Sequence, residues 1–146
     1  MERREFLIGF GAAAALASTA QAFADEKASG GTSEIHPAMY AGLQGAAAQC
    51  ATAGEDCLRH CFGMLSMNDT SMAGCMKATY DMVAACNALA TLAAANSPHV
   101  PALAKTVASI CADCKKQCEK FPNIAACKAC AEACARTISE CEKLSA

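Results

Sequence analysis

The stretch that decides the fold is Cys111-Ala-Asp-Cys114-Lys-Lys-Gln-Cys118, whose spacing returns sixteen residues later as Cys127-Lys-Ala-Cys130-Ala-Glu-Ala-Cys134. Steps of three, four and seven residues are helical steps, so each set of cysteines falls within roughly 60° of arc. Cys141 extends the second stripe on the same face. Each of these two helices therefore carries a stripe of sulfur where a helix normally carries leucine.

The first half of the chain carries two more stripes. On a helix predicted over residues 37–67, beginning at Pro37, Cys50, Cys57 and Cys61 share about 40° of arc. A second helix is predicted over residues 72–95, and Asp69, Thr70 or Ser71 is expected to cap it. Its inward face is marked by Cys75, Thr79, Met82 and Cys86.

Polar and proline-containing breaks separate the helices. Residues 66–71, 96–101 and 121–123 are predicted turns, which leaves the third and fourth helices at residues 102–120 and 124–144. Four long helices with short connections predict an all-α fold, an up-down-up-down antiparallel four-helix bundle with a cysteine-lined core over residues 37–146. From the rise per residue we expect the sulfurs at three depths, with Cys50, Cys86 and Cys141 deepest.

Composition limits the classes of function. The chain has 146 residues, enough for one domain plus processed ends, and no later segment is long and apolar enough to span a bilayer. The net charge of −2, with no basic stripe, argues against a nucleic-acid partner. The twelve cysteines are the anomaly, because in a small exported protein they would normally indicate disulfides.

Residues 1–24 are predicted to be an export signal. Arg3-Arg4-Glu5-Phe6-Leu7 matches the core of the twin-arginine motif, and Ala22-Phe23-Ala24 offers small residues for cleavage. The alternative is a membrane anchor, although the apolar run is short. Residues 25–36 are predicted to be a flexible mature N-terminus. We expect export by the twin-arginine pathway to the periplasm or another extracytoplasmic compartment, without stable membrane insertion after cleavage.

Three explanations compete for twelve inward thiols. Cysteine as a small buried hydrophobe explains one or two positions but not four matched stripes. Disulfide stapling conflicts with several cysteines on one helix face, although close alanine packing brings some neighbouring helices into bridging range. Metal binding fits best: zinc and iron–sulfur sites close at four local ligands, whereas Cu(I) accepts two or three thiolates along a column.

Charge supports monovalent copper as the cargo. A dozen buried thiolates without cations would be prohibitively costly, so about one Cu(I) per thiolate, on the order of twelve ions, makes the core neutral. Within a helix, i,i+4 pairs such as Cys57 with Cys61 provide two sulfurs for one ion. Cys114 with Cys118 and Cys130 with Cys134 are pairs of the same kind.

Methionines cluster beside the first predicted turn. Thioether is a soft ligand suited to Cu(I), although methionine also fills gaps in ordinary cores. Together with the sulfur-rich end of the column they predict an uptake site, for which His60 is a weaker candidate. The candidates are Met64, Met67, Met72, Met76 and His60.

The chain resembles the four-helix-bundle copper storage proteins, specifically the exported type of methane-oxidising bacteria. The resemblance covers essentially the whole chain and rests on the twin-arginine leader, Cys57-x₃-Cys61, the two Cys-x₂-Cys-x₃-Cys runs and the methionines beside His60. It implies many Cu(I) ions on inward thiolates, uptake at the methionine end and assembly as a homo-tetramer. It also implies supply of copper to enzymes such as the membrane methane monooxygenase.

Two further classes remain open beside storage without catalysis. A thiol redox protein or sensor needs an exposed thiol of low pKa next to a resolving partner, and the thiols here are predicted to be buried. A disulfide-bonded helical scaffold would contain almost no free thiol. No hydrolase triad, phosphate loop or paired acid catalyst is evident in the sequence, so we do not expect an enzyme.

Overall fold

The structure, a computed structural model, describes residues 36–144 and forms four helices with no strand in that range. They are α1 (Ala41–Ser66), α2 (Ala73–Ala94), α3 (Val100–Cys118) and α4 (Ala125–Glu142). The predicted export signal and nearly all of the predicted flexible N-terminus lie outside the described residues. None of the four helices is long and apolar enough to cross a membrane.

The helices form a closed ring. Helix α1 packs against α2 and α4, and α3 packs against the same two neighbours, as in a four-helix bundle. The all-α bundle with a cysteine-lined core is thereby confirmed. The up-down-up-down order remains a prediction. It is favoured by contact pairs such as Cys57–Cys75 and Cys50–Met82, whose numbers run in opposite directions along α1 and α2.

Two helices begin at positions that differ by two residues or more from those predicted. Helix α1 begins at Ala41, because a turn at residues 39–40 separates the helix from Pro37. Helix α3 begins at Val100, two residues earlier than predicted. Pro101 lies in its first turn, where the missing amide hydrogen costs no helical bond, so this proline starts a helix and does not belong to the preceding turn.

Asparagines end the first two helices. Asn68 and Asn96 have positive φ angles of 61° and 51°, respectively. The Asn68 amide donates to the Leu65 carbonyl (2.9 Å) and the Asp69 amide donates to the Met64 carbonyl (3.0 Å), which is a Schellman motif. Asn96 and Ser97 make the same pair of bonds at the end of α2.

The connection between α1 and α2 contains no side-chain cap. Met72 is the N-cap residue of α2, and no side chain bonds the first free amides. Asp69 instead accepts a hydrogen bond from the Ser71 amide (2.8 Å), closing the turn before the helix. The predicted capping by residues 69–71 was therefore wrong, because this carboxylate is used within the turn.

The core combines sulfur with small and aliphatic side chains. Buried alanines such as Ala47 and Ala104 let the helices approach closely around the cysteines. Leu43, Leu89 and Val107 are buried and form the apolar part of the core. Leu92 and Leu103 are partly buried against this core.

Candidate metal centre

All twelve cysteines are buried and carry free thiols. None exposes more than 3% of its surface, so the cysteines are as buried as the core leucines Leu43 and Leu89. The helical spacing explains this, because each stripe turns toward the bundle axis. The stripes are Cys50, Cys57 and Cys61 on α1; Cys75 and Cys86 on α2; Cys111, Cys114 and Cys118 on α3; and Cys127, Cys130, Cys134 and Cys141 on α4.

Sulfur atoms from different helices are in direct contact. Cys57 Sγ lies 3.8 Å from Cys75 Sγ on α2 and 3.8 Å from Cys127 Sγ on α4. Cys75 Sγ also lies 3.6 Å from Cys118 Sγ on α3. One continuous set of sulfur contacts thus joins all four helices.

Four groups of three thiols have all their sulfur atoms within 4.8 Å of one another. Two groups share Cys57 and two share Cys130. Such overlap suits bridging sulfurs in a cluster better than separate closed sites. The groups are Cys50–Cys86–Cys111, Cys57–Cys61–Cys75, Cys57–Cys118–Cys130 and Cys114–Cys130–Cys134.

The groups contain two of the expected i,i+4 pairs but not the expected depths. Cys57 with Cys61, and Cys130 with Cys134, lie within ligand-sharing distance. Cys86 was predicted well below Cys111, yet their sulfurs are 3.7 Å apart. The depth of a Cα does not fix the depth of its sulfur, because side chains lean along the helix axis.

The predicted uptake residues have different exposures. Met72 is buried, Met64 and Met76 are partly buried against the sulfur core, and Met67 is 67% exposed. His60 is partly buried, and its Nε2 atom is buried without a hydrogen-bond partner among the described residues. A buried unpaired ring nitrogen is costly, so this atom is suited to receive a ligand.

Three further side chains belong to the sulfur core. The Thr79 hydroxyl lies 3.5 Å from Cys114 Sγ and 3.9 Å from Cys57 Sγ, and Met82 Sδ lies 3.3 Å from Cys50 Sγ. Thr137 shares its hydroxyl hydrogen between the carbonyls of Ala46 and Ala133. The sequence predicts Thr79 and Met82 on the inward face of α2, but its spacing identifies only the cysteines there as ligands.

No charged side chain is buried among residues 36–144, where Thr79 and Thr137 are the buried polar residues. Ion pairs such as Arg59–Asp56 lie on the exposed surface. Any thiolate in this core therefore needs a cation from outside the protein as its counter-charge.

Burial and hydrogen bonds between thiols shift the pKa values of the cysteines in opposite directions. Burial, together with negative charge on Cys57 and Cys75, raises the pKa of Cys61 to about 12. Burial and the adjacent carboxylates of Glu140 and Glu142 raise the pKa of Cys141 to about 11. Hydrogen bonds from Cys111 and other thiols instead lower the pKa of Cys50.

Fold and site together define a helical bundle whose core can hold thiophilic metal ions. The family model of the copper storage proteins matches residues 38–146, which include all four helices. The chain belongs to the copper storage protein family. No curated protein gives a match to the chain.

Proposed function

We propose that this protein stores Cu(I) ions as cargo, bound by the inward thiolates at about one ion per cysteine. The observation that carries the proposal is twelve buried thiols without one buried charged side chain in the described part of the chain. Each Cu(I) that replaces a thiol proton leaves the core neutral, so the column fills without accumulating charge. A capacity on the order of twelve ions follows.

Copper(I) fits the sulfur arrangement better than zinc does. Zinc favours closed tetrahedral sites with four ligands. Here the thiols form groups of three that share members, and Cu(I) accepts two or three soft ligands with bridging sulfurs. Divalent zinc would also neutralise the core at half the number of ions.

Uptake is proposed at the end of α1 and the start of α2. Met64, Met72 and Met76 lie against the sulfur core, while Met67 reaches solvent. This gradation supports transfer of an ion from an exposed thioether toward Cys61 and Cys75, with His60 Nε2 as a further donor.

The cellular role is storage without catalysis. We infer export by the twin-arginine pathway from the Arg3-Arg4 leader, and loading in the folded state. Homo-tetramer assembly and supply to a copper enzyme such as methane monooxygenase, or to a chelating acceptor, follow from resemblance to the exported copper storage proteins.

An anaerobic Cu(I) titration of the reduced protein tests the proposal. Thiolate-to-copper absorbance should rise linearly to about ten or more ions per chain and persist against a competing chelator. Saturation at one or two ions would overturn storage and indicate a chaperone or sensor. A thiol count after copper removal is the companion measurement: about twelve supports storage, and about zero indicates a disulfide scaffold.

A further inference from the structure

Met82 occupies a position inside the sulfur column. It lies on α2 four residues before Cys86 and three after Thr79, on the face that carries the cysteines. Its side chain is completely buried. The Cys50 thiol donates a hydrogen bond to Met82 Sδ across 3.3 Å, the shortest of the hydrogen-bonded sulfur pairs in residues 36–144.

The backbone of α1 is shaped to receive this methionine. A Cβ atom at Gly54 would lie 2.6 Å from Met82 Cε and 2.5 Å from Val83 Cγ2, closer than real Cβ contacts. Glycine within a helix costs roughly 0.5–1 kcal/mol relative to alanine. The missing side chain at Gly54 is what lets the Met82 methyl group lie against α1, with its sulfur beside Cys50.

A metal ion on Cys50 is within bonding reach of Met82. A typical metal–sulfur bond is about 2.3 Å, so two such bonds span any sulfur pair up to about 4.6 Å apart. The Cys50–Met82 distance of 3.3 Å is well inside that limit. Cys50 Sγ is also within 4.8 Å of the sulfurs of Cys86 and Cys111.

We propose that Met82 is an interior thioether ligand for Cu(I) at the Cys50–Cys86–Cys111 group. The inference rests on the proposed storage of Cu(I). It adds a neutral thioether ligand to the negatively charged thiolates. A thioether supplies electrons without a proton to release, so an ion bound here by one thiolate and Met82 is already neutral. The ion replaces the Cys50 thiol proton, which leaves to solvent, and no electron is transferred.

Selenium labelling distinguishes a ligand from a side chain that only fills space. In the full chain, replacing Met64, Met67, Met72 and Met76 by leucine leaves Met1, Met39 and Met82 as the selenomethionine positions. After Cu(I) loading, selenium X-ray absorption should show copper at bonding distance from about one third of the selenium. The same chain with Met82→Leu added is the matched control and should show none.

A chain that binds many Cu(I) ions with no selenium–copper distance would overturn the Met82 inference and leave storage intact. Almost no Cu(I) binding by the unchanged chain, with all seven methionines present, would overturn both.

The single variant Met82→Leu provides a second measurement that does not depend on the fourfold replacement. Leucine conserves volume, so the fold should be retained at a cost below about 1.5 kcal/mol. Chelator competition should show that about one ion binds about tenfold more weakly, or weaker still. A tenfold loss of affinity is the smallest effect typical of disturbing a metal site. Met39→Leu, at an exposed position, is the control and should match the unchanged chain. Equal affinities in all three proteins would contradict the proposal.

Discussion

Gly54 controls how closely α1 and α2 approach beside Cys50. Alanine usually stabilises a helix interior relative to glycine, by roughly 0.5–1 kcal/mol. At Gly54 the added Cβ would overlap Met82 and Val83, whereas at Gly45 on the same helix it would meet nothing within 4 Å. These two glycines therefore separate helix propensity from packing.

We expect Gly54→Ala to lower the free energy of unfolding by about 1–3 kcal/mol, because the core becomes overpacked. Gly45→Ala should raise it by about 0.5–1 kcal/mol. Urea unfolding of the reduced, metal-free proteins, followed by helical circular dichroism, measures both. Equal stabilisation by the two changes would contradict the close contact at Gly54.

His60 carries a buried nitrogen without a partner in the described residues. Replacing it by leucine removes a desolvated polar atom, so metal-free His60→Leu should be no less stable, with a gain of up to about 1 kcal/mol. If the nitrogen assists uptake, stopped-flow mixing with Cu(I) should show slower loading and a final capacity lower by at most about one ion.

His99→Leu, at an exposed site before α3, is the control for His60 and should change neither stability nor loading. A clear loss of stability in His60→Leu would show that the ring is required for packing.

At the scale of helices, Asn68 and Asn96 end α1 and α2 with the same backbone conformation, but their side chains have different roles. Asn96 Nδ2 donates to the Pro37 carbonyl, and the Met39 amide donates to Asn96 Oδ1, both at 2.9 Å. Asn96 thus ties the segment before α1 to the end of α2. No side-chain hydrogen bond of this kind is found for Asn68 in residues 36–144.

We therefore expect opposite effects from replacement by glycine. Asn68→Gly should stabilise the protein by a few tenths of a kcal/mol to about 1 kcal/mol, since glycine adopts positive φ without strain. Asn96→Gly should destabilise it by about 1 kcal/mol, because two side-chain hydrogen bonds are lost. Thermal unfolding of both variants measures the difference. The same shift in both would show that the Pro37 and Met39 bonds contribute nothing.

The helices themselves were largely predictable from the cysteine spacing. Repeats of three and four residues fix both helix and inward face, which is why Cys111 and Cys127 were correctly placed in the core. The ends were less predictable. Pro37 and Pro101 both suit a first turn, and only the packed structure shows that α3 uses its proline while α1 begins after a separate turn.

At the scale of the molecule, the metal-free core should become unstable in alkali. The pKa values of Cys141 and Cys61 are raised from 9.0 to about 11 and about 12. The unfolded chain therefore loses these protons first, so stability is fully present below pH 9 and falls as the pH rises toward 11–12.

Urea unfolding of the reduced, metal-free protein at pH 7, 9, 10 and 11 measures this effect. The midpoint should fall above pH 9, and the free energy of unfolding should decrease by about 1–3 kcal/mol. Cys141→Ala should show a smaller fall, because one of the thiols with a raised pKa is gone. A midpoint independent of pH would contradict the raised pKa values.

The site was predictable as a set of cysteines but not as a set of contacts. Sequence spacing assigns Cys86 and Cys111 to the core, yet their contact depends on how two helices align and how their side chains lean. Met82 is on the predicted inward face of α2. Its position beside Cys50 depends on Gly54 of α1, and a glycine gives no sign in the sequence that another side chain packs against it. Tertiary contacts of this kind leave little signal in one sequence.

The sulfur contacts of about 3.6–3.8 Å also make the metal-free protein sensitive to oxidation. Thiols this close need only a small movement and an oxidant to form a disulfide. Every such bond removes two ligands together, so the capacity for copper would decline in steps of two. Air oxidation would therefore gradually reduce the copper capacity of the metal-free form. Bound copper would protect the same sulfurs by occupying them. Under the proposed storage and export, a protein that has released its copper would therefore have a limited time in which to be reloaded.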